Sequence, residues 1–379
     1  MLEPQKERFD KRSQKMGFYI PDFETELKQH LNLSESAWLV IEEDIKCFSN
    51  GGKYNLAGFL NRVFYNYYHD AEATISQRIL SKNEELEQMF SSDEFKSMDR
   101  KTTETYITKI LDVYEKDLID KMNRHDKGEG RKFRINKDNV EILRESSESI
   151  YYNNSIGAYL KAIFEEYAAK SMYEREQIYF KNVLDVIRSA ISQKKKIKLS
   201  ILKKTNPNNH EVYTRKFYLS PYKIIQDKTR MFNYVIGYSE EIKEDGGLWP
   251  KKAVCYRVSR IDHLLMMSSM SGFISKADQD ELEKMVREKE PQFLAGDIIA
   301  ITVRFTEKGI ESFNRQLYMR PCDYSKSDDD ENTYTFHCTE VQAINYFFKF
   351  ARDVEILAPE KTRQKFIQRY RDAYNQYSQ

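Results

Sequence analysis

Proline and glycine are scarce in this chain, at 8 and 13 of 379 residues, and tryptophan occurs twice. So few chain breakers argue against a loop-rich secreted fold and for a helix-rich one. Cysteine is sparse too: Cys47, Cys255, Cys322 and Cys338. None pair at CxxC spacing, so neither a disulfide framework nor a zinc ribbon is suggested, and four reduced core residues are expected. No apolar run reaches the ~18 residues of a membrane span. The N-terminal segment MLEPQKERFDKRSQK lacks the apolar stretch of a signal peptide, so the cytoplasm is the expected location. Catalytic signatures are missing as well. There is no P-loop and no Gly-x-Gly-x-x-Gly, and the histidines at 30, 69, 125, 210, 263 and 337 are scattered. None has an arginine five residues upstream, so the Arg-x4-His ribonuclease motif is absent. His337 and Cys338 are neighbours on an expected strand and would point apart, which suits no shared metal. No enzyme, cofactor or metal is expected, although a site assembled only in three dimensions stays open.

What is present is length, charge and rings. The chain is long enough for two or three domains. Hydrophobic residues make up 40% and charged residues 32%, with 26 tyrosines and 22 phenylalanines. Net charge is only +1, yet residues 192–262 hold sixteen Lys/Arg against seven Asp/Glu, a local excess of +9. Such an excess is the footprint of a phosphate-binding surface, or else a solvated face.

The first 170 residues read as mostly helix. Trp38, Leu39, Ile41, Ile45 and Phe48 recur at helical period, and Gly51-Gly52 ends that helix. Residues 55–67 then match 155–167 at an offset of one hundred: Leu60/Leu160, Phe64/Phe164 and Tyr67/Tyr167 are identical. Leu56/Ile156, Phe59/Tyr159 and Val63/Ile163 are similar. A short alternating segment lies upstream of each copy, at Gly17–Ile20 and Lys132–Ile135, with a helical stretch between. Each unit therefore reads strand, helix, helix. Two such units pairing through their strands resemble the ribbon-helix-helix plan. In that family the outward ribbon residues read base edges and are polar or basic. Lys132 and Arg134 fit that role, whereas Gly17 and Tyr19 do not.

From residue 196 the period changes to two. Strands are expected at 196–202, 212–219, 220–225, 230–238 and 253–261, separated by polar turns, which suggests a small barrel or a strongly bent sheet. Ser220-Pro221-Tyr222, then Tyr234-Val235-Ile236-Gly237-Tyr238, then Tyr256-Arg257-Val258-Ser259-Arg260-Ile261 resemble the ordered pattern of a WYL domain. The naming triplet falls on Asn233-Tyr234-Val235, so its tryptophan is absent. The resemblance implies a Sm-like, SH3-type barrel. Residues 297–379, with Asp353-Val354-Glu355-Ile356-Leu357-Ala358-Pro359 before a closing helix, resemble the C-terminal extension of that family, which implies dimerisation.

The expected fold is α+β. A duplicated ribbon-helix-helix-like region spans 1–170, with a helical insertion at 71–128. A linker helix spans 171–193, the WYL barrel 194–272, a second linker 273–296 and the extension 297–379. Arginine engages phosphate bidentately and tyrosine stacks on bases without choosing among them. The candidate ligand residues are Ser220, Tyr222, Arg230, Tyr234, Tyr256, Arg257, Arg260 and Lys216, with Lys132 and Arg134 as head contacts. Arg257 and Arg260, three apart on one strand, would face opposite sides. Tyr234 and Tyr238 could equally be core, and Lys194–Lys196 a solvated helix end. A WYL barrel with such a head resembles the WYL accessory proteins of type VI-D CRISPR systems, which implies single-stranded RNA binding, an effector ribonuclease as partner and a homodimer. The alternative is a ligand-sensing transcriptional regulator that grips duplex DNA through the head. A scaffold that only dimerises and docks a protein is a third possibility.

Overall fold

The computed structural model describes residues 17–48, 54–95, 98–122, 128–204, 212–226, 232–288, 298–321, 323–328 and 330–378. The chain divides into two compact units, Met1–Lys181 and Asn182–Gln379.

The first unit contains the two repeats. β1 (Leu27–Leu33), α1 (Glu35–Phe48) and α2 (Leu56–Tyr67) form one. β2 (Glu129–Ile135), α5 (Lys137–Glu145) and α6 (Ile156–Ala169) form the other. Between them run α3 (Ile75–Phe90) and α4 (Arg100–Met122), which pack on each other, and α7 (Met172–Tyr179) follows. β1 and β2 pair antiparallel as a two-stranded ribbon. The helix starts repeat as well. Ser34 and Asn136 each accept the backbone N–H three residues on, and so do Asn55 and Ser155. Such caps satisfy amide donors that the helix itself leaves unpaired. The matched stripe Phe59, Leu60, Val63, Phe64, Tyr67 and its counterpart Tyr159, Leu160, Ile163, Phe164, Tyr167 is buried throughout.

The first strand is not at 17–20. Phe18 and Ile20 are buried and Tyr19 is exposed, but the segment joins no ladder; the Phe18 amide donates to the Leu143 carbonyl instead. The strand lies at 27–33, directly before the Ser34 cap, as β2 lies directly before Asn136. Alternation pointed to 17–20; the ladder with β2 places the strand at 27–33.

The polar wiring of the repeats crosses between them. Tyr67 donates to Glu166, and Tyr167 donates to Asp44 Oδ2 at 2.7 Å. Arg175 of α7 completes the second contact, with its Nε 2.7 Å from Asp44 Oδ2. Burial pushes the Asp44 carboxyl up while Arg175 and Tyr167 pull it down.

The second unit begins in α8 (Lys181–Ser192), whose Ile187 and Ala190 enter a core under a five-stranded antiparallel sheet. Its strands are β3 (Lys195–Lys204), β4 (Val212–Gln226), β5 (Asn233–Glu241), β6 (Lys252–Arg257) and β7 (Ile261–Ser271), in the order β6-β5-β4-β3-β7. Two sequence expectations change here. First, 253–261 is not one strand: β6 stops at Arg257, a 3-10 turn covers Val258–Arg260, and β7 runs on to Ser271. Second, among the described residues no ladder joins β6 to β7, so the sheet is open and not a closed barrel. The turn carries the chain from one edge to the other, but among the described residues no ladder joins the edges. Gly237 is required where β5 passes the bulge at Pro221/Lys223, because a Cβ there would lie 2.1 Å from the Ser220 carbonyl oxygen.

α9 (Lys276–Glu288) follows the sheet. The remainder comprises β8 (Ile298–Phe305), α10 (Glu307–Arg315), β9 (Tyr324–Lys326), β10 (Thr333–Thr339), α11 (Glu340–Phe347), β11 (Val354–Ala358) and α12 (Glu360–Tyr377). Its four strands run in the order β11-β8-β10-β9, over an aromatic core that includes Phe305, Phe313, Phe336 and Phe347. Mixed helix and sheet agrees with the α+β expectation. Among the described residues, no helix is long and apolar enough to cross a membrane.

Candidate nucleic-acid interface

Cross-strand register assigns the faces of the five-stranded sheet, because directly opposed residues point the same way. Val235 opposes Tyr256, and both belong to the inner side, where the core lies. Tyr234 opposes Arg257, Tyr238 opposes Ser220, and Tyr218 opposes Lys198. These residues, with Lys216 two positions before Tyr218, form the outer face. The candidates Ser220, Tyr234, Arg257 and Lys216 are thus brought onto one face.

Their surroundings differ. Ser220 and Tyr234 are buried. Arg257 is half-buried; its Nε donates to Ser259 Oγ at 2.6 Å, and its guanidinium lies 3.2 Å from the centre of the Phe232 ring. Lys216 is exposed, and so is Arg260 on the 3-10 turn. That turn removes the strand geometry on which the opposed-faces argument for Arg257 and Arg260 depended. Tyr256 is not on the outer face. Its ring packs on Phe217 at 5.4 Å, its hydroxyl lies 2.9 Å from Ser239 Oγ, and burial pushes that hydroxyl's pKa up to about 12. Arg230 lies outside the described residues.

Tyr222 sits at the bulge, half-buried against Tyr238, Ile274 and Leu282. Its hydroxyl donates to Glu283 Oε1 of α9 at 3.2 Å. Elsewhere on the outer face, Lys198 is exposed, with its ammonium 6.0 Å from the Tyr218 ring centre, and Lys216 stands beside them. Lys198, Tyr218 and Phe232 were not singled out from the sequence, although the alternation of Lys196-Ile197-Lys198-Leu199 already put lysines on one side of β3.

The ribbon of the first unit offers a second surface. Leu31, Leu33, Phe133 and Ile135 are buried, and the alternate positions are exposed. The exposed face pairs Lys28 with Arg134, His30 with Lys132 and Asn32 with Gly130. The candidates Lys132 and Arg134 both lie there, and Arg134 Nη1 is 2.7 Å from Glu26 Oε2. Lys28, His30 and Asn32 were missed because the first strand was expected ten residues too early. Among the described residues, no group of three His, Cys, Asp or Glu could hold a metal.

No family model matches the sequence, and no curated protein matches it. Among solved structures, one described as a proteasome accessory factor B/C of Arthrobacter aurescens aligns at a TM-score of 0.26 and 14% identity, over 62% of this chain and 33% of that one. A score so low carries no weight for the fold. Another, described as the crystal structure of a CRISPR Cas-related protein, aligns at a TM-score of 0.69 and 23% identity, over 96% of this chain and 97% of that one. The chain therefore shares its fold, across nearly the whole length of both molecules, with a CRISPR Cas-related protein.

Proposed function

We propose that this protein is a non-catalytic, nucleic-acid-binding accessory of a CRISPR system, which holds single-stranded RNA on the outer face of its five-stranded sheet. The observation that carries the reading is the open end of that face, where exposed Lys198 and Lys216 flank Tyr218. Cations there meet phosphates, and a flat ring stacks on bases of any identity. The fold shared with a CRISPR Cas-related protein supports the cellular setting. In that setting the effector partner is an RNA-guided ribonuclease of type VI-D, whose activity the protein enhances, acting as a cytoplasmic homodimer. The open sheet with its Pro221-Tyr222 and Arg257 positions is read as the WYL module, and the paired strand-helix-helix units as its ribbon-helix-helix head.

Filter binding with labelled single-stranded RNA and duplex DNA tests the reading. Retention of RNA is expected at physiological salt, with an affinity that falls as salt rises, by ~0.7 log units per tenfold salt for each phosphate contacted. A preference for duplex DNA would favour a second reading, a regulator gripping DNA through the ribbon. One specific observation favours it: the solvent face of the ribbon carries Lys28, His30, Lys132 and Arg134 and no apolar side chain. A two-stranded ribbon fits the major groove of B-DNA, whereas that of duplex RNA is too narrow to be read.

A further inference from the structure

One part of the outer sheet face lies against a helix of opposite charge. α9 places three carboxylates on four donors of that face. Asp278 Oδ2 lies 3.1 Å from Lys251 Nζ. Glu281 Oε2 accepts from the Tyr238 hydroxyl at 2.8 Å. Glu283 Oε1 accepts from both Tyr222 Oη and Lys223 Nζ, each at 3.2 Å. Lys251 also stacks over Tyr238, 4.3 Å from the ring centre. Two ammonium groups and two phenols thus converge on oxygen atoms that only accept hydrogen bonds. The oxygens of a phosphate backbone offer the same chemistry.

We propose that Tyr222, Lys223, Tyr238 and Lys251 form a phosphate-binding subsite, which α9 occupies with its own carboxylates until a polyanion displaces it. The inference rests on the single-strand reading above for its ligand. It adds Lys223, Tyr238 and Lys251 to the candidate residues, and a helix that competes for them.

The attachment of α9 is light. Of its described residues only Leu282 is fully buried, in a small cluster with Tyr238 and Ile274. By contrast, α11 contributes Ala343, Ile344, Tyr346 and Phe347 to the core of its own sheet, and α8 contributes Leu184, Ile187 and Ala190 to buried positions. The side chains of Lys223 and Lys251 remain about half exposed in their ion pairs. Exposed pairs of this kind hold weakly. A single strand brings many phosphates at once and gains from release of its counterions. Lys251 holds the Asp278 carboxyl below its ordinary range, and Lys223 does the same for Glu283, so both oppose a phosphate as full charges at neutral pH.

The test compares the whole protein with the variant Asp278→Asn/Glu281→Gln/Glu283→Gln. The amides keep size and an acceptor oxygen, so the helix can stay packed. The probes are labelled single-stranded RNA and inorganic polyphosphate, read by anisotropy across a salt series. If α9 is closed nine-tenths of the time, the variant binds both probes about tenfold more tightly. Its salt dependence for RNA steepens by about 1.4, at ~0.7 for each of the two lysines released. Adding Lys223→Ala/Lys251→Ala to the variant returns affinity and slope to the parent values. Should the variant bind RNA and polyphosphate no better than the parent, the subsite is overturned. Should neither protein bind RNA, the single-strand reading fails, and the polyphosphate arm still decides whether α9 guards an anion site. Far-ultraviolet circular dichroism identifies an unfolded variant, and Leu282→Ala then replaces it, loosening α9 with every charge kept and carrying the same expected gain.

Discussion

The ribbon and the five-stranded sheet both carry cations on one face, but they commit them differently. On the ribbon, Lys28, His30 and Lys132 stand exposed above a buried row of Leu31, Leu33, Phe133 and Ile135. On the sheet, Lys196 pairs with Glu240, Lys223 with Glu283 and Lys251 with Asp278. Both segments therefore have part of their charge engaged within the chain: on the ribbon, Arg134 pairs with Glu26 and Arg131 with Glu42. Charge counted along a sequence measures quantity, whereas binding needs availability, and pairing across strands and helices decides that. Because exposed pairs are worth only ~0–1 kcal/mol, an engaged cation is still within reach of a stronger anion.

The largest effect should come from the support beneath the ribbon. Asp44→Ala leaves Arg175, itself buried, without its carboxylate, and should cost the first unit about 3–5 kcal/mol. In a Trp249→Phe background only Trp38 reports, so an earlier urea midpoint of its fluorescence checks this; an unchanged midpoint contradicts the buried pair. Next comes Lys198→Glu with Lys216→Glu on the sheet. Single-stranded RNA affinity should fall about a hundredfold, at ~1.5 kcal/mol for each charge-assisted hydrogen bond removed. The matching ribbon reversal, Lys132→Glu with Arg134→Glu, separates the two surfaces. On the single-strand reading RNA affinity stays within about twofold, while duplex DNA retention drops by at least about tenfold if the ribbon holds phosphates. An RNA loss equal to that of the sheet variant would move the site to the ribbon. Tyr218→Ala should cost RNA binding about 1–3 kcal/mol, the worth of one stacked base, and leave the salt slope unchanged. The smallest effect is acid release of α9. Asp278 and Glu283 both have lowered pKa values, so their contribution is complete above the ordinary carboxylate range and is lost as pH falls through the lowered values. Faster amide exchange in residues 276–287 as pH falls through that window, with β4 and β5 still protected, is the expected signature.

Legibility varied along the chain for identifiable reasons. The elements from Ile298 to Tyr377 follow the sequence closely, because each alternating or periodic run is bounded by a strong signal: Thr306 and Thr339 as caps, and Pro359 before the last helix. The repeat was visible because identical rings recur one hundred residues apart and all are buried. β7 was missed because Ile261–Ser271 is an edge strand whose apolar residues fall on both faces, with Leu265 exposed, so it lacks a clean period of two. The covering of Tyr222 and Tyr238 had no local sign at all. Their partners on α9 lie 61 and 43 residues further along the chain.

What the sequence alone determined is the inventory and its local grammar: two matched helix stripes with their caps, a tyrosine-rich basic strand region and an aromatic C-terminal core. These follow from interactions within a few residues, where side-chain period and capping act directly. Only the tertiary structure decided which short segment became the ribbon's first strand. It alone placed Tyr256 inside the core and Tyr234 on the other face, and laid an acidic helix against Tyr222 of the expected site. Each of those outcomes depends on pairing between distant residues, and no local periodicity encodes the partner.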